Sequence, residues 1–319
     1  EQYKHLVKFK GYAKQNEFTV NLSDWRIFNV YADGEQASLL SDNISDHERR
    51  LEFLTGKLTR SFVFSTKSGK QIKVESIRLL NRMEVHGAEI CYKVSPINFS
   101  GEIRVDSVII KNTKLKNKFN TETVCESFKD NVYTINQTVL TTGQKISMSV
   151  AHSVEGKSYT VSDNNTAEKY TFSVVFKLDK GESAEVIKYA AFAGTVDEIE
   201  KLGSFTENLA KKNREKGLEF FIKEQAEFWE NHFKKADIKI EGNPSDQQAV
   251  RYSLFQLKQQ LATINSCSIG ATGLTGPGYS GQVFWDTEMY LMPYYNFTDP
   301  YSQKELLMYR YRILDKARE

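Results

Sequence analysis

The run from Gly273 to Tyr295, GLTGPGYSGQVFWDTEMYLMPYY, sets Trp285, Asp286 and Glu288 almost side by side. These are materials that bind sugars. An aromatic face stacks on the C–H face of a pyranose, and a carboxylate accepts hydrogen bonds from two vicinal hydroxyls. Gly273, Gly276, Gly278 and Gly281, with Pro277, cannot continue a regular element, so the segment begins as a loop. It then enters an aromatic helical pattern and presents Trp285 and Asp286 at the point where loop becomes helix. The same residues also fit a core tryptophan beside an N-cap aspartate, and both readings stay open. Glu288 invites a role as the proton donor that glycoside cleavage requires. Residues two apart on a helix diverge, however, so Asp286 and Glu288 cannot address one bond from one face. Glu288 reads as a supporting residue. The glycine loop lacks the Lys-Ser/Thr ending of a phosphate loop. It reads instead as the lining of a sugar pocket, with Tyr279, Gln282 and Phe284 beside it.

The elements that must hold this segment change character along the chain. Tyr170, Phe172, Val174, Phe176 and Leu178 alternate with less apolar neighbours at a period of two, as do Ile146, Met148 and Val150. Turn signals at Ala32-Asp33-Gly34, Lys67 to Lys70, Phe99-Ser100-Gly101 and Thr142-Gly143 separate such runs. Many short strands predict a large antiparallel β-sandwich over residues 1–196. A helical linker with alternating Glu and Lys follows over 197–241. Gly242-Asn243-Pro244 then breaks the chain, and Ser245, with Gln248 three residues later, is the expected cap of a helix reaching Thr263. Residues 242–319 form the third segment, with further helices over Asp286 to Tyr295 and Ser302 to Asp315, broken at Asp299-Pro300.

GLTGPGYSGQVFWDTE, the residues that follow it, and LLMYRYRILDKARE resemble the start of the catalytic domain of glycoside hydrolase family 65. That family contains the maltose, trehalose and kojibiose phosphorylases and related α-glucoside hydrolases. LEFLTGKLTR (Leu51 to Arg60), Val63 to Leu80 with Glu75, Ser76 and Arg78, and YKVSPINFSG (Tyr92 to Gly101) carry the same resemblance. It covers most of the chain, weakly at Glu1 to Asn21 and around Asp163 to Glu168. It implies that residues 242–319 open an (α/α)6 barrel, with the general acid, a Glu, beyond Glu319. It also implies that first strands are missing and that both ends are cut. Trp285 and Asp286 would then hold the non-reducing glucose of an α-linked disaccharide, with Phe284 and Gln282 beside it and Glu288 and Tyr279 in support. Cleavage would invert configuration without metal or organic cofactor, with inorganic phosphate as co-substrate in a phosphorylase. This piece alone would be inactive. Many family members have His where this chain has Gln282, which leaves phosphorylase against hydrolase open.

Composition narrows the partners. The balance of 43 basic and 41 acidic residues leaves +2, with no charge block for nucleic acid. No apolar run reaches the roughly 20 residues that span a bilayer. Cys91, Cys125 and Cys267 are too few and too scattered for a disulfide framework and read as buried thiols. The five histidines show no metal-ligand spacing, so no metal is expected. The cysteine count and the lack of a leader point to the cytoplasm, with the periplasm open because a leader could precede Glu1. A homodimer of the full-length protein is an option that the family implies. The rival reading is a non-catalytic carbohydrate-binding or assembly sandwich, for which Trp25 is the sandwich's single tryptophan.

Overall fold

A computed structural model describes residues 2–4, 15–17, 20–115, 118–261, 267–276 and 278–318. The chain divides into two compact units: residues 21–139 with 143–228, and residues 1–20 and 140–142 with 229–319.

The larger unit is a sandwich of two antiparallel sheets, as the alternation predicts. The sheet of eight runs in the order β12 (Thr121–Lys129), β13 (Val132–Val139), β14 (Lys145–Glu155), β17 (Ala184–Gly194), β8 (Gly87–Pro96), β7 (Gln71–Leu80), β6 (Lys57–Ser65) and β5 (Ile44–Glu52). The sheet of five runs β15 (Tyr159–Asn165), β16 (Lys169–Leu178), β9 (Gly101–Ile110), β3 (Asp24–Ala32) and β4 (Glu35–Gln36). The short pairs β1 (Gln2–Lys4) with β2 (Gln15–Glu17) and β10 (Lys114–Leu115) with β11 (Lys118–Phe119) complete the strands described.

Two cores fill the space between the sheets. One gathers Phe62, Phe64, Ile72, Val74, Val94, Ile103, Val105, Val174 and Phe176. The second gathers Tyr133, Ile135, Met148, Val150 and Tyr170, with Trp25 against Phe192 at 5.4 Å. The single sandwich tryptophan is thus spent on packing. Lys188 crosses between the sheets with its side chain wholly buried. Its Nζ donates to the carbonyls of Trp25 (2.5 Å), Ile27 (3.3 Å) and Val108 (3.2 Å), where the register of β3 slips between Asp24 and Ile27.

On the other face of the larger sheet lie α1 (Leu202–Lys216) and the first half of α2 (Leu218–Ala236). Leu209 and Ala210 pack on Val132, Ala151 and Ala191, and Leu218 and Phe221 pack on Leu79, Ile187 and Tyr189. The charged residues of α1 accordingly alternate with a buried face. Beneath these helices Glu89, Asn81 and Asn213 are buried together around Gly87. A Cβ at Gly87 would lie 2.6 Å from Asn81 Nδ2 and 2.8 Å from Asn213 Nδ2, so a larger residue would displace these amides.

Apart from the β1–β2 pair, the elements described in the smaller unit are helices. α3 (Pro244–Gln260) is followed by α4 (Met292–Thr298), α5 (Pro300–Arg312) and α6 (Leu314–Arg318). The cap of α3 is Asn243, not Ser245: the Asn243 side chain accepts from Ser245 N at 3.0 Å, and Pro244 takes the first helical position, where its missing N–H costs nothing. The helix ends at Gln260, and residues 262 and 263 of the expected span lie outside those described. Trp229 and Phe255 stack at 4.2 Å. His232 is buried beside Trp229. Of the cysteines only Cys91 is buried; Cys125 is exposed and Cys267 half-buried. Among the described residues no helix is long and apolar enough to cross a membrane.

Candidate sugar-binding loop

The glycine loop is closed at its neck by backbone alone. Ala271 N donates to Gln282 O at 3.0 Å, and a Cβ on Gly270 would come within 3.1 Å of Gly281 O. Inside the loop, Thr272 Oγ1 donates to Gly276 O at 2.9 Å and Thr275 Oγ1 to Thr272 O at 2.6 Å. Pro277 lies outside the described residues.

Beyond the neck the chain turns into helix in an unusual way. Residues Thr287–Leu291 form a π-helical turn before α4 begins at Met292. The buried Thr287 anchors it, donating from Oγ1 to Ile269 O at 3.1 Å. Met292 and Tyr295 then enter a small core with Leu261, Ile269 and Leu306. Tyr295, fully buried, donates from its hydroxyl to Leu257 O at 2.8 Å. Asp299 caps α5 by accepting from Ser302 N and holds Lys258 Nζ at 2.6 Å. Burial pushes the Asp299 carboxyl up, but Lys258 and Ser302 outweigh it and hold the group below its ordinary value.

The six sequence-predicted residues sort clearly. Trp285 is 73% exposed, so it is no core residue. Asp286 occupies the N-cap position, yet its side chain makes no capping hydrogen bond and no ion pair among the described residues. Its carboxylate is free for a ligand. Phe284 and the exposed Tyr279 meet edge to face at 5.6 Å, and Gln282 is half-buried at the neck, its N–H on Tyr279 O. Glu288 differs in kind. Arg310 grips it with Nε on Oε1 at 2.8 Å and Nη2 on Oε2 at 2.9 Å, and also donates to Phe284 O at 2.7 Å. Both carboxylate oxygens are thus taken up by one guanidinium fork. What it does is tie α5 to the backbone just before Trp285. Arg310 was missed as a site residue because it lies 22 positions from Glu288, a spacing that no local pattern reports. Met289, Tyr290, Phe297 and Tyr301 leave further apolar surface exposed on this unit.

The family model described as "Glycosyl hydrolase family 65, N-terminal domain" matches residues 3–232, and the "central catalytic domain" of the same family matches 251–319. An α,α-trehalose phosphorylase of Thermoanaerobacter brockii is 32% identical over 97% of this chain and 42% of its own length. A kojibiose phosphorylase of the same organism is 28% identical over 94% of this chain and 41% of its own. A solved human-microbiome protein, provisionally named a kojibiose phosphorylase, superposes with a TM-score of 0.88 at 24% identity. That superposition covers 96% of this chain and 40% of the other, and it establishes the fold. The chain thus spans about two fifths of the length of the relatives it matches.

Proposed function

The chain belongs to glycosyl hydrolase family 65, and on that premise we propose that it supplies part of the glucose-binding subsite of an inverting enzyme acting on α-linked glucosyl disaccharides. The observation that carries the reading is the pairing of an exposed Trp285 with an unengaged Asp286 at the mouth of a closed loop. Trp285 stacks on the non-reducing glucose, Asp286 accepts from its hydroxyls, and Phe284 and Tyr279 wall the loop. Gln282 reaches a substrate hydroxyl as a neutral donor and acceptor. Glu288, bound by Arg310, positions this segment. The proton donor is then a Glu in the part of the relatives' length that this chain does not span. Phosphate attacks the anomeric carbon from the face opposite the departing oxygen, giving β-glucose 1-phosphate; water in that place gives glucose. That the two Thermoanaerobacter relatives are both named phosphorylases favours phosphate.

The test is an activity panel on the full-length protein with this chain as control. Maltose, trehalose, kojibiose and nigerose are each incubated with and without phosphate, and glucose and β-glucose 1-phosphate are followed. Phosphate-dependent release is expected for one of them. Asp286→Asn and Trp285→Ala should each lower kcat/KM by about 10- to 100-fold, the worth of a charged hydrogen bond or a stacked ring. Unchanged kinetics in both variants would remove the subsite assignment. Activity of this chain alone would refute the placement of the proton donor.

A further inference from the structure

Three arginines stand in a row on the inner face of β5, β6 and β7. Arg49 lies directly opposite Arg60, and Arg78 lies opposite Leu58, two residues from Arg60 on the same face. That face continues through Phe62 and Phe64 into the first core, so the row marks where the core ends. None of the three forms an ion pair with a carboxylate among the described residues. The opposite face of the same strands is different: Lys57 pairs with Glu52 at 3.5 Å and Lys73 with Glu75 at 2.8 Å. Arg26, whose charge also reaches Arg78, has its own acid in Asp24, gripped at 2.9 Å. Like charges facing one another across adjacent strands are destabilising. Here they are kept together, and Arg78 Nε is buried with no hydrogen-bond partner among the described residues. Beside them Ser76 faces Tyr92, whose ring stacks on Phe28 at 4.5 Å. The ensemble offers guanidinium forks and hydroxyls, with the forks unpaired by any carboxylate among the described residues.

We propose that this row binds a small oxoanion of the phosphate class, either inorganic phosphate or the phosphate group of a monoester. A guanidinium fork matches two phosphate oxygens at once, which an ammonium cannot do. An oxoanion lying across neighbouring strands takes one fork from each side and cancels the repulsion that the bare row carries. The proposal is independent of the sugar subsite, since no saccharide enters its test.

The full chain is titrated by calorimetry with inorganic phosphate and with glycerol phosphate, and its Tm is followed in phosphate against chloride at equal ionic strength. Phosphate is expected to raise Tm above the chloride control. Arg60→Gln and Arg78→Gln should each weaken binding about 10-fold or more, the scale of a charge-assisted hydrogen bond. Arg50→Gln, on the same strand as Arg49 but on the opposite face, should bind as the parent does. Far-UV dichroism checks each fold, and Arg60→Lys, which keeps the charge but not the fork, should bind between parent and glutamine variant. Tight binding of glycerol phosphate would identify a monoester site, and preference for inorganic phosphate the free ion. Phosphate no better than chloride, or equal losses in Arg50→Gln and Arg60→Gln, would overturn the assignment. So would capture of poly-glutamate without any response to phosphate.

Discussion

Glu89→Gln isolates one of the ionisable groups buried in the sandwich. Glu89 has no solvent exposure, and Asn81 Nδ2 donates to one of its oxygens at 3.0 Å. The other oxygen, Asn81 Oδ1 and both amide atoms of Asn213 have no hydrogen-bond partner among the described residues. Burial pushes the Glu89 carboxyl up to about 8, Glu224 on α2 adds to that, and Asn81 and Lys216 on α1 only partly oppose it. Between the ordinary value of 4.5 and about 8, the folded protein therefore holds a proton that the unfolded chain has released. Stability must fall as pH rises through that window. Each tenfold change in proton affinity is worth about 1.4 kcal/mol, which sets a ceiling of about 5 kcal/mol. Relaxation and water entry reduce such penalties, so about 2 to 4 kcal/mol is expected. Glutamine has the same shape and no proton to lose. In urea titrations of the sheet signal at pH 5, 7 and 9, the variant should match the parent at pH 5 and exceed it at pH 9. Other titrating groups cancel in the difference. Two curves that stay parallel across the range would refute the reasoning.

Lys188→Ala should destabilise the sandwich by about 3 to 5 kcal/mol, from the cavity it leaves and the three carbonyls it abandons. A urea midpoint unchanged from the parent would refute the staple between the sheets. Arg310→Met should loosen the turn before Trp285 by about 1 to 3 kcal/mol, read as faster amide exchange over residues 284–295. Arg310→Lys should restore only part of it, and exchange equal to the parent's in the Met variant would show that the fork holds nothing.

Much of this was legible from the chain. Alternation in β16 and β14 predicts strands because one face of each enters a core. The glycine loop and the shift to a helical period are equally plain. What stayed hidden depends on partners distant in sequence. In β17, Lys188 faces the other sheet while Ile187 and Tyr189 face α2, so both faces are buried and alternation no longer tells inside from outside. Glu89 looks like any solvent-facing carboxylate until two helices cover it. At α3 a proline at the first helical position outweighs the capping-box pattern of Ser245 and sets the cap two residues earlier, at Asn243. In the candidate site, Trp285 and Asp286 could be singled out from their types, whereas the division of labour between Asp286 and Glu288 rests on Arg310.

The π turn at Thr287–Leu291 carries one residue more per turn than the α-helix it joins. Each residue of an α-helix advances the chain by about 100° around its axis. The extra residue therefore indexes Trp285 and Asp286 against the buried Met292 and Tyr295, like a single tooth on a ratchet. Point substitutions on the exposed side of the turn, at Met289 or Tyr290, leave that index where it is. Deleting either residue would heal the helix and swing the tryptophan and the carboxylate about a quarter-turn away from the loop. In this segment length is a stricter constraint than identity: the placement of Trp285 and Asp286 tolerates a changed neighbour better than a missing one.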